Sequence, residues 1–362
     1  MKILIVGLGK IGYAIARQLE GERHDLTLVD ASVEALRRAE NSIDAMFVEG
    51  NGAGVSVLLQ ARAREADLVI AVTENDEVNL ICCLMAKKLG ARRTIARVRN
   101  PEYFREAPIL RRELGLDLTI NPEYAAAQEI ARILRVPAAF SVESFARGLV
   151  ELIGFQVMEG AAMAGVPLTE YNRRNPGNIL ICAAKRGDDV IVPNGGFVPL
   201  PGDLLYVIGS SDDTVRVLKS TGRKHTPMRR VSILGGGRIA VYLAWALENT
   251  GARLSIVERD PERCLALAEK LPRATVIQGD GTDHELLDTE GILDCDAFVP
   301  LTGRDEENLL MALTARHAGV KKVLPKMSRP NYTNRHSRPS CRSPCVSTSR
   351  PPRWHRGSCH SW

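Results

Sequence analysis

The sequence predicts an α/β fold: two Rossmann-like, doubly wound parallel sheets with a small α+β domain between them. Three observations support this prediction. The chain contains an internal duplication, each copy alternates short apolar runs with helical patterns, and a β-rich segment separates the two copies. Alternating strands and helices are typical of parallel sheets that helices cover on both faces.

The duplication consists of five sequence blocks that recur in the same order after 228 or 229 residues. In the longest pair, KILIVGLGKIGYAIARQLE from Lys2 matches RVSILGGGRIAVYLAWALE from Arg230. The other pairs are LTLVD with LSIVE, VEGNG with IQGDG, AVTENDEVNL with PLTGRDEENLL, and ARRTIARVRNPEY with VKKVLPKMSRPNY. Five matches at a constant offset indicate a duplicated unit rather than a chance similarity.

In the first copy, each apolar run is predicted to be a buried strand and each stretch between runs a helix. The predicted strands are Lys2–Val6, Leu26–Val29, Ala45–Val48, Leu68–Val72 and Thr94–Val98. The predicted helices are Ile11–Leu19, Val33–Glu40, Val55–Ala61 and Glu77–Leu89. One more strand is expected before Asn121, and the second copy has nothing comparable beyond Tyr332.

The segment between the copies is predicted to be β-rich. Its predicted strands are Leu149–Val157, Ile179–Ala184, Val190–Val192 and Leu204–Ile208. Turns are expected at Arg186–Asp189 and at Pro201–Asp203, because both contain Gly and Asp in turn-forming order. Ser210 and Asp213 have the spacing of a capping box and predict a helix that ends near Lys219.

These patterns predict five consecutive segments. They are a first Rossmann-like unit (1–123), a connecting helix (124–139), a small α+β domain (140–223), a truncated second Rossmann-like unit (228–334) and an irregular tail (335–362). The second unit lacks the final crossover and a small domain of its own. The tail is expected to be disordered, or an out-of-frame extension, because it has neither helical nor strand periodicity.

The tail also accounts for the basic charge of the chain. The net charge is +5, but Arg335–Trp362 holds six Arg and no acid, which leaves 42 basic and 43 acidic residues elsewhere. We therefore expect no nucleic-acid partner. Candidate zinc ligands occur in the tail, but without a core to hold them we expect no metal site. These candidates are Cys341, Cys345, His355, Cys359 and His360.

The first copy opens with a glycine-rich loop between its first strand and first helix. In Gly7-Leu8-Gly9-Lys10-Ile11-Gly12, the glycines would allow a tight turn, close approach of a pyrophosphate and close packing of helix on strand. The helix N-terminus would then face the phosphates with its N–H groups. Asp30 lies 23 residues after Gly7 and could accept both ribose hydroxyls, which favours NAD over NADP.

The second copy repeats this pattern as Gly235-Gly236-Gly237-Arg238-Ile239-Ala240, with Glu258 at the same distance. Other candidates follow strand ends, where open α/β sheets bind ligands. In the first copy these are Thr73, Glu74 and Arg97, and their counterparts are Thr302, Gly303 and Lys326. Arg97 could face the pyrophosphate, a neighbouring subunit or only an ion-pair partner. Asn51 and Asp280 could border the adenine or simply form turns.

The order of the three domains and the motifs GLGKIG, AVTENDE, IARVRNPEY and PNGGFVPLPGDLLYVIG resemble the family of Trk potassium uptake regulatory proteins, of the RCK or KTN type. The resemblance covers about residues 1 to 334. It implies NAD+ or NADH as ligand, with ATP or ADP as further candidates. Residues matching the family's nucleotide sites are Gly7–Ile11, Asp30, Thr73, Glu74, Arg97, Gly235–Ile239 and Glu258.

The resemblance also implies a regulatory subunit rather than an enzyme. Such a subunit would be cytoplasmic, peripheral on the inner face of the cell membrane, bound to a Trk-type potassium-translocating membrane subunit and assembled as a homo-oligomer through its Rossmann units. The alternative is a soluble NAD-dependent oxidoreductase, which would need a base beside the nicotinamide. We predict no catalytic residue, because the histidines outside the tail (His24, His225, His284 and His317) form no catalytic constellation.

Overall fold

The computed structural model describes residues 1–135, 141–145, 149–175, 177–221, 228–328 and 346–347. The chain divides into two units, Met1–Ala126 and Ala127–Met327, each with short additions from later residues. The described part contains two parallel sheets, an antiparallel sheet between them in sequence, and one two-stranded ribbon. This arrangement confirms the predicted fold class. None of the described helices has the length and apolar character needed to cross a bilayer.

The first unit is built on a six-stranded sheet in which every strand pair is parallel. The strands are β1 (Lys2–Val6), β2 (Asp25–Asp30), β3 (Met46–Glu49), β4 (Leu68–Ala71), β5 (Thr94–Arg97) and β6 (Leu118–Ile120). Their order in the sheet is β3-β2-β1-β4-β5-β6, which is the doubly wound order of dinucleotide-binding folds. The strands predicted in the first copy, including the additional strand before Asn121, are confirmed.

Helices connect these strands. They are α1 (Lys10–Glu20), α2 (Val33–Glu40), α3 (Val55–Gln60), α4 (Asp76–Leu89), α5 (Pro101–Arg105), α6 (Ala107–Leu114) and α7 (Pro122–Arg135), with a 3-10 turn at Ala63–Glu65. Ser32 and Asn75 cap α2 and α4 with their side chains, as their residue types favour. The sequence did not predict α5 and α6. The described part of the predicted connecting helix ends at Arg135, and 136–139 lie outside the described residues.

The core of the first unit lies on both faces of its sheet. Along β1, Ile3 and Ile5 belong to one apolar cluster, while Leu4 and Val6 belong to another. This alternation follows from the two-residue period of a strand. The first cluster includes residues of α1 and α2, and the second includes residues of α3 and α4. Because helices cover both faces of the sheet, a ligand can approach it only at the ends of the strands.

The second unit begins with a five-stranded antiparallel sheet of order β10-β9-β11-β8-β7. Its elements are β7 (Ser141–Phe145), β8 (Val150–Gln156), α8 (Leu168–Arg174), β9 (Ile179–Arg186), β10 (Asp189–Ile191), β11 (Leu204–Gly209) and α9 (Ser211–Lys219). The predicted strands, both turns and the Ser210 cap of α9 are confirmed. The sequence missed α8, whose seven residues are too few for a helical period to be recognised.

The same unit contains the second parallel sheet, of order β14-β13-β12-β15-β16. Its strands are β12 (Arg230–Leu234), β13 (Arg253–Glu258), β14 (Ala274–Gln278), β15 (Ala297–Pro300) and β16 (Lys322–Val323). Its helices are α10 (Arg238–Leu247), α11 (Pro261–Lys270), α12 (His284–Thr289) and α13 (Asp305–His317). The strand order repeats that of the first sheet without a sixth strand among the described residues.

The last described residues form a short ribbon of β17 (Lys326–Met327) and β18 (Val346–Ser347). The rest of the predicted tail lies outside the described residues, and so do the five candidate zinc ligands. The same holds for His225 and for the final residues of the predicted second unit, 329–334. The domain boundaries therefore stay predictions.

Candidate functional site

The first glycine loop runs from the end of β1 into α1 and is tightly packed at both ends. Gly7 has a φ of +96°, and a Cβ atom there would lie 2.7 Å from the backbone nitrogen of Thr73. A Cβ atom on Gly12 would lie 1.8 Å from the carbonyl oxygen of Gly7. Both positions therefore require glycine for packing, which agrees with the roles predicted for the first and last glycines.

The middle of the loop is open. Gly9 is exposed and is the N-cap of α1, and a Cβ atom there would have no neighbour within 4 Å. No side chain caps the helix, so the first amides of α1 receive no capping hydrogen bond. Lys10 is exposed beside Gly9, while Ile11 packs on the core. An open helix N-terminus beside a lysine can bind an anion such as a phosphate.

Asp30, at the end of β2, is hydrogen-bonded to this loop. Its Oδ2 accepts from the backbone N–H of Leu8 at 2.6 Å, and its Oδ1 accepts from the N–H of Ser32 at 2.8 Å. These bonds hold the carboxylate in place next to the loop. Each carboxylate oxygen has a further lone pair, and Asp30 is only half-buried, so it can also accept hydrogen bonds from a ligand hydroxyl.

The second glycine loop repeats this geometry between β12 and α10. Gly235 has a φ of +97°, and a Cβ atom on Gly237 would again meet nothing within 4 Å. Glu258 accepts from the N–H of Gly236 at 2.8 Å and from that of Asp260 at 3.0 Å. Arg238 is exposed, like Lys10 of the first copy, and Ile239 is buried where Ile11 is half-buried. The two loops therefore present the same open N-terminus.

The two loops differ in how they pack against the next helix. The first has the buried Leu8 where the second has Gly236, and α2 has Ala39 where α11 has Leu267. A Cβ atom on Gly236 would lie 2.2 Å from Cδ1 of Leu267. The large residue therefore lies in the loop in the first copy and on the helix in the second, so each copy combines one large with one small residue.

A buried asparagine, which the sequence analysis missed, connects the ends of β4 and β5. Oδ1 of Asn79 accepts from the N–H and the hydroxyl of Thr73, both at 2.8 Å. Nδ2 of Asn79 donates to the carbonyl oxygens of Thr73 (3.2 Å) and Arg97 (3.0 Å). Thr73 in turn lies against Gly7, so Asn79 fixes the wall of the first loop.

The second copy has the same connection. Asn308 accepts from the N–H of Thr302 at 2.9 Å and donates to the carbonyl oxygens of Thr302 and Lys326 at 3.2 and 3.0 Å. The sequence carried a signal for both asparagines. The pattern Asp-Glu-x-Asn-Leu occurs at Asp76 and again at Asp305, inside one of the five repeated blocks.

Arg97 lies at the end of β5 and is paired with Glu123, in the first turn of α7. Nη2 of Arg97 donates to Oε1 of Glu123 at 2.9 Å. Arg97 is only 9% exposed, and burial lowers the pKa of its guanidinium, against the opposing effect of the Glu123 carboxylate. Of the interpretations left open by the sequence, the ion pair is present, but it is buried rather than at the surface. Glu74 is exposed.

Two further positions were ambiguous in the sequence. Oδ1 of Asn51 accepts from the N–H of Ala53 at 3.0 Å, and Oδ1 of Asp280 accepts from the N–H and the hydroxyl of Thr282 at 2.9 and 2.8 Å. Hydrogen bonds of this kind form Asx turns. The structure thus shows a turn-forming role for both residues.

Comparison with known proteins agrees with this geometry. The TrkA-N domain family matches residues 3–122 and again 231–340, and the TrkA-C domain family matches residues 152–221. The chain is 35% identical over 340 residues to Trk system potassium uptake protein trkA homolog 1 of Methanosarcina mazei, covering 92% of this chain and 82% of that protein. It is also 35% identical to Trk system potassium uptake protein TrkA of Haemophilus influenzae, covering 92% and 74%.

Solved structures show the same fold at lower identity. The GsuK channel superposes with a TM-score of 0.71 at 20% identity, over 96% of this chain and 61% of the channel chain. The GsuK RCK domain superposes with a TM-score of 0.68, also at 20% identity, over 96% of this chain and 74% of that chain. The domain families match this chain in the order TrkA-N, TrkA-C and TrkA-N. The two potassium uptake proteins are matched over 82% and 74% of their own length. The chain therefore belongs to the TrkA family of Trk system potassium uptake proteins.

Proposed function

We propose that this chain is an NAD(H)-binding regulatory subunit that controls a potassium-translocating membrane protein of the Trk type. The observation that supports this most directly is the duplicated loop: each copy has an open helix N-terminus next to a fixed acid at the end of the neighbouring strand. The relatives with 35% identity are potassium uptake proteins. Among the structural relatives, one GsuK channel structure is bound to NAD and another GsuK structure to ADP.

The residues present fit a dinucleotide. The space beside Gly9 and Gly237, where a Cβ atom would meet no neighbour, can admit a pyrophosphate at each helix N-terminus. Lys10 and Arg238 would add positive charge there, with Leu8, Ile11 and Ile239 shaping the loops. Asp30 and Glu258 would receive the adenosine ribose hydroxyls. Thr73, Glu74 and Arg97 would border the ligand of the first loop.

We propose that binding itself is the signal. A bound nicotinamide can donate or accept a hydride, but the groups identified around the strand ends bind and orient rather than transfer protons. A ligand shifts a conformational equilibrium only by the difference in its affinity for the two states. NAD+, NADH, ATP or ADP would thus control the membrane partner through the state that each stabilises.

The proposed partner requires a position at the cytoplasmic face of the membrane, peripheral to the transporter. We also propose that the chain forms homo-oligomers through its Rossmann units. Exposed apolar residues support this proposal, because an apolar helix face on a folded unit favours association. Ile81 on α4 is 44% exposed, and Leu310 and Leu313 on α13 are 60% and 55% exposed. Ile81 and Leu310 are equivalent positions in the duplication.

The experiment is potassium flux through a reconstituted Trk membrane subunit, with this chain added and NAD+ or NADH titrated. We expect flux to depend on nucleotide concentration, and Gly9→Asp to remove most of the response by placing a carboxylate where the phosphates bind. Gly21→Asp is the matched control, because Gly21 ends the same helix and is also exposed. The proposal fails if nucleotides leave the flux unchanged, or if the chain steadily oxidises NADH with a metabolite, as an oxidoreductase would.

A further inference from the structure

The edge of the first sheet that lies opposite the glycine loop carries a group of exposed basic side chains. β1 begins at Lys2 and ends just before Gly7, so the N-terminal strand ends lie roughly 13 Å from the loop. Two segments meet at this edge, because the backbone N–H of Arg92 donates to the carbonyl oxygen of Ala66 at 3.0 Å. The five residues that we call the basic edge are Arg62, Arg64, Lys88, Arg92 and Arg93.

The segments that carry the basic edge are in contact with one another. Nζ of Lys87 donates to the carbonyl oxygen of Arg92 at 2.8 Å, and a Cβ atom on Gly90 would lie 3.6 Å from the carbonyl oxygen of Arg64. The end of α4 therefore adjoins both the turn before β4 and the start of β5. The five cations belong to one surface rather than to separate parts of the unit.

The carboxylates at this end of β4, β5 and β6 already have partners. Glu65 pairs with Nζ of Lys2 at 2.5 Å, and Asp67 accepts from the backbone N–H of Lys2 at 2.9 Å. Asp117 pairs with Lys87 at 2.8 Å. Within the part of the chain that the structure describes, the side chains of the basic edge make no hydrogen bond or ion pair of their own. The edge therefore retains an excess of positive charge.

The second copy keeps only part of the basic edge. The counterparts, 229 residues further on, are Gly291, Leu293, His317, Lys321 and Lys322. Arg62 has a φ of +56° and its counterpart Gly291 a φ of +61°, so both adopt the left-handed conformation. Glycine adopts this conformation at lower cost than arginine. The first copy thus holds a charged side chain where glycine would be conformationally favoured.

The arrangement of the basic edge favours an extended anionic surface as its partner. Four of its five residues are arginines, whose guanidinium groups bind phosphate oxygens in a forked geometry. They are distributed over several chain segments along a sheet edge, whereas a site for a small molecule is a concave pocket with a few converging polar groups. The anionic phospholipids of the cytoplasmic leaflet form an extended surface of phosphates that attracts lysine and arginine.

We propose that the basic edge binds anionic phospholipid headgroups at the cytoplasmic face of the membrane. This inference rests on the proposed function, which places the chain peripherally at that face. With the basic edge on the lipid, the first glycine loop lies at the other end of the strands and stays open to nucleotides. Lipid contact would add to contact with the transporter by raising the effective concentration of the chain beside it.

The test is sedimentation of the full-length chain with vesicles of phosphatidylcholine, alone or mixed with phosphatidylglycerol. We expect binding only to the mixed vesicles, and weaker binding as the NaCl concentration rises, because salt screens exposed charges. Arg62→Gly should lower the affinity about fivefold, which is the contribution of one cation near an anionic membrane. The unfolding temperature of this variant should not fall, because glycine suits the conformation of residue 62.

Arg23→Gly is the matched control. Arg23 is exposed just before β2 and has a φ of +57°, the same conformation as Arg62, but Glu22 and Asp25 beside it offset its charge. The control should therefore change the affinity for mixed vesicles less than about twofold. Both variants are compared in the full-length chain, so lipid contacts of the six arginines in residues 335–362 contribute equally to each measurement.

Two results would overturn the lipid assignment directly. They are equal losses of affinity in Arg62→Gly and Arg23→Gly, and no binding of the unsubstituted chain to the mixed vesicles. Sedimentation velocity without lipid tests a second copy of the chain as the occupant. Salt-sensitive self-association that Arg62→Gly removes would assign the basic edge to contacts between copies and would also overturn the proposal.

Nucleotide titration separates this inference from the proposed function. In a Gly237→Asp background, which blocks the second loop, NAD+ should bind the chain with and without Arg62→Gly equally well, because the basic edge lies at the opposite end of the strands. Failure of NAD+ to bind even the unsubstituted chain would refute the proposed function. The vesicle measurements need neither nucleotide nor transporter, so their outcome decides the lipid contact alone.

Discussion

Gly12 lies so close to Gly7 that a Cβ atom on Gly12 would be 1.8 Å from the Gly7 carbonyl oxygen. Real atoms cannot approach to that distance, so Gly12→Ala must displace either the loop or helix α1. We expect a loss of about 1–3 kcal/mol in the free energy of unfolding of the first unit, as for other overpacked sites. Urea unfolding monitored by circular dichroism measures this loss. An unchanged transition would show that the loop is not packed as described.

In contrast to Gly12→Ala, Gly9→Ala should leave the stability of the first unit almost unchanged but weaken nucleotide binding. Its added methyl group meets no neighbour, so the unfolding transition should move by less than about 0.5 kcal/mol. The methyl group would occupy space that a pyrophosphate needs, so we expect nucleotide affinity at the first loop to fall at least about tenfold. Titration in the Gly237→Asp background measures this loop alone. Gly21→Ala, at the other end of α1, serves as the control and should bind normally.

Asn79 should be among the most sensitive positions in the first unit. It is fully buried and bonded to Thr73 and Arg97, so Asn79→Ala would leave several buried backbone groups unpaired. We expect a loss of about 2–4 kcal/mol and faster amide hydrogen exchange in β4 and β5. Asn41→Ala provides the comparison, because Asn41 is exposed at the end of α2. Equal exchange rates in the two variants would contradict the role assigned to Asn79.

The small domain should lose stability in acid through Asp203. Arg186 donates to both carboxylate oxygens of Asp203, at 2.8 and 2.7 Å, and lowers the pKa of Asp203 below its usual 3.8. A lowered carboxylate pKa stabilises the folded state above pH 4, and this contribution disappears as the pH falls through the lowered value. Asp203→Asn should cost about 1–3 kcal/mol at pH 7, where the charged hydrogen bonds are intact.

The same variant should differ less from the parent at pH 3, because pH 3 lies below the usual carboxylate pKa of 3.8, where the unfolded parent takes up the proton and part of the stabilisation is lost. Urea unfolding at the two pH values, with Asp189→Asn as the exposed control on β10, tests this dependence. If Asp203→Asn lowers the free energy of unfolding by the same amount at pH 7 and at pH 3, the ionised form of Asp203 does not provide the stabilisation.

The adjacent cysteines of α4 should resist alkylation in the folded protein. Burial raises the pKa of Cys82 to about 12 and that of Cys83 well above its usual value. At pH 8 about one Cys82 thiol in ten thousand would then be a thiolate, the reactive form. Iodoacetamide followed by peptide mass spectrometry should label Cys82 and Cys83 only after unfolding. The half-buried Cys182 on β9 should react earlier, and labelling of all three at one rate would refute the burial.

Most of the fold could be predicted from the sequence because the duplication supplied two independent examples of each pattern. The apolar runs that became β1 and β12 have the same period, and the same glycine loop follows each. Short elements such as α8 were missed, because seven residues span only about two helical turns. The predicted tail had no pattern to interpret at all.

The site was less predictable, because a sequence motif does not show what a side chain already binds. Asp30 was predicted as a ribose ligand, but its bonds to Leu8 and Ser32 depend on the turn that brings them together. Glu123 could not be linked to Arg97, since two helices and a strand lie between them in the sequence. Asn79 was overlooked because a polar residue within a helix is usually solvated.

The first copy combines the large loop residue Leu8 with the small helix residue Ala39, whereas the second combines Gly236 with the large Leu267. This difference restricts how the two copies can be recombined. Replacing Gly236 by leucine alone would force two leucines into one space, whereas replacing Leu8 by glycine alone would leave a void. Any hybrid protein that transplants one copy's loop must carry the matching helix residue with it. Exchanging both residues of a pair together keeps this junction filled, whereas exchanging one of them does not.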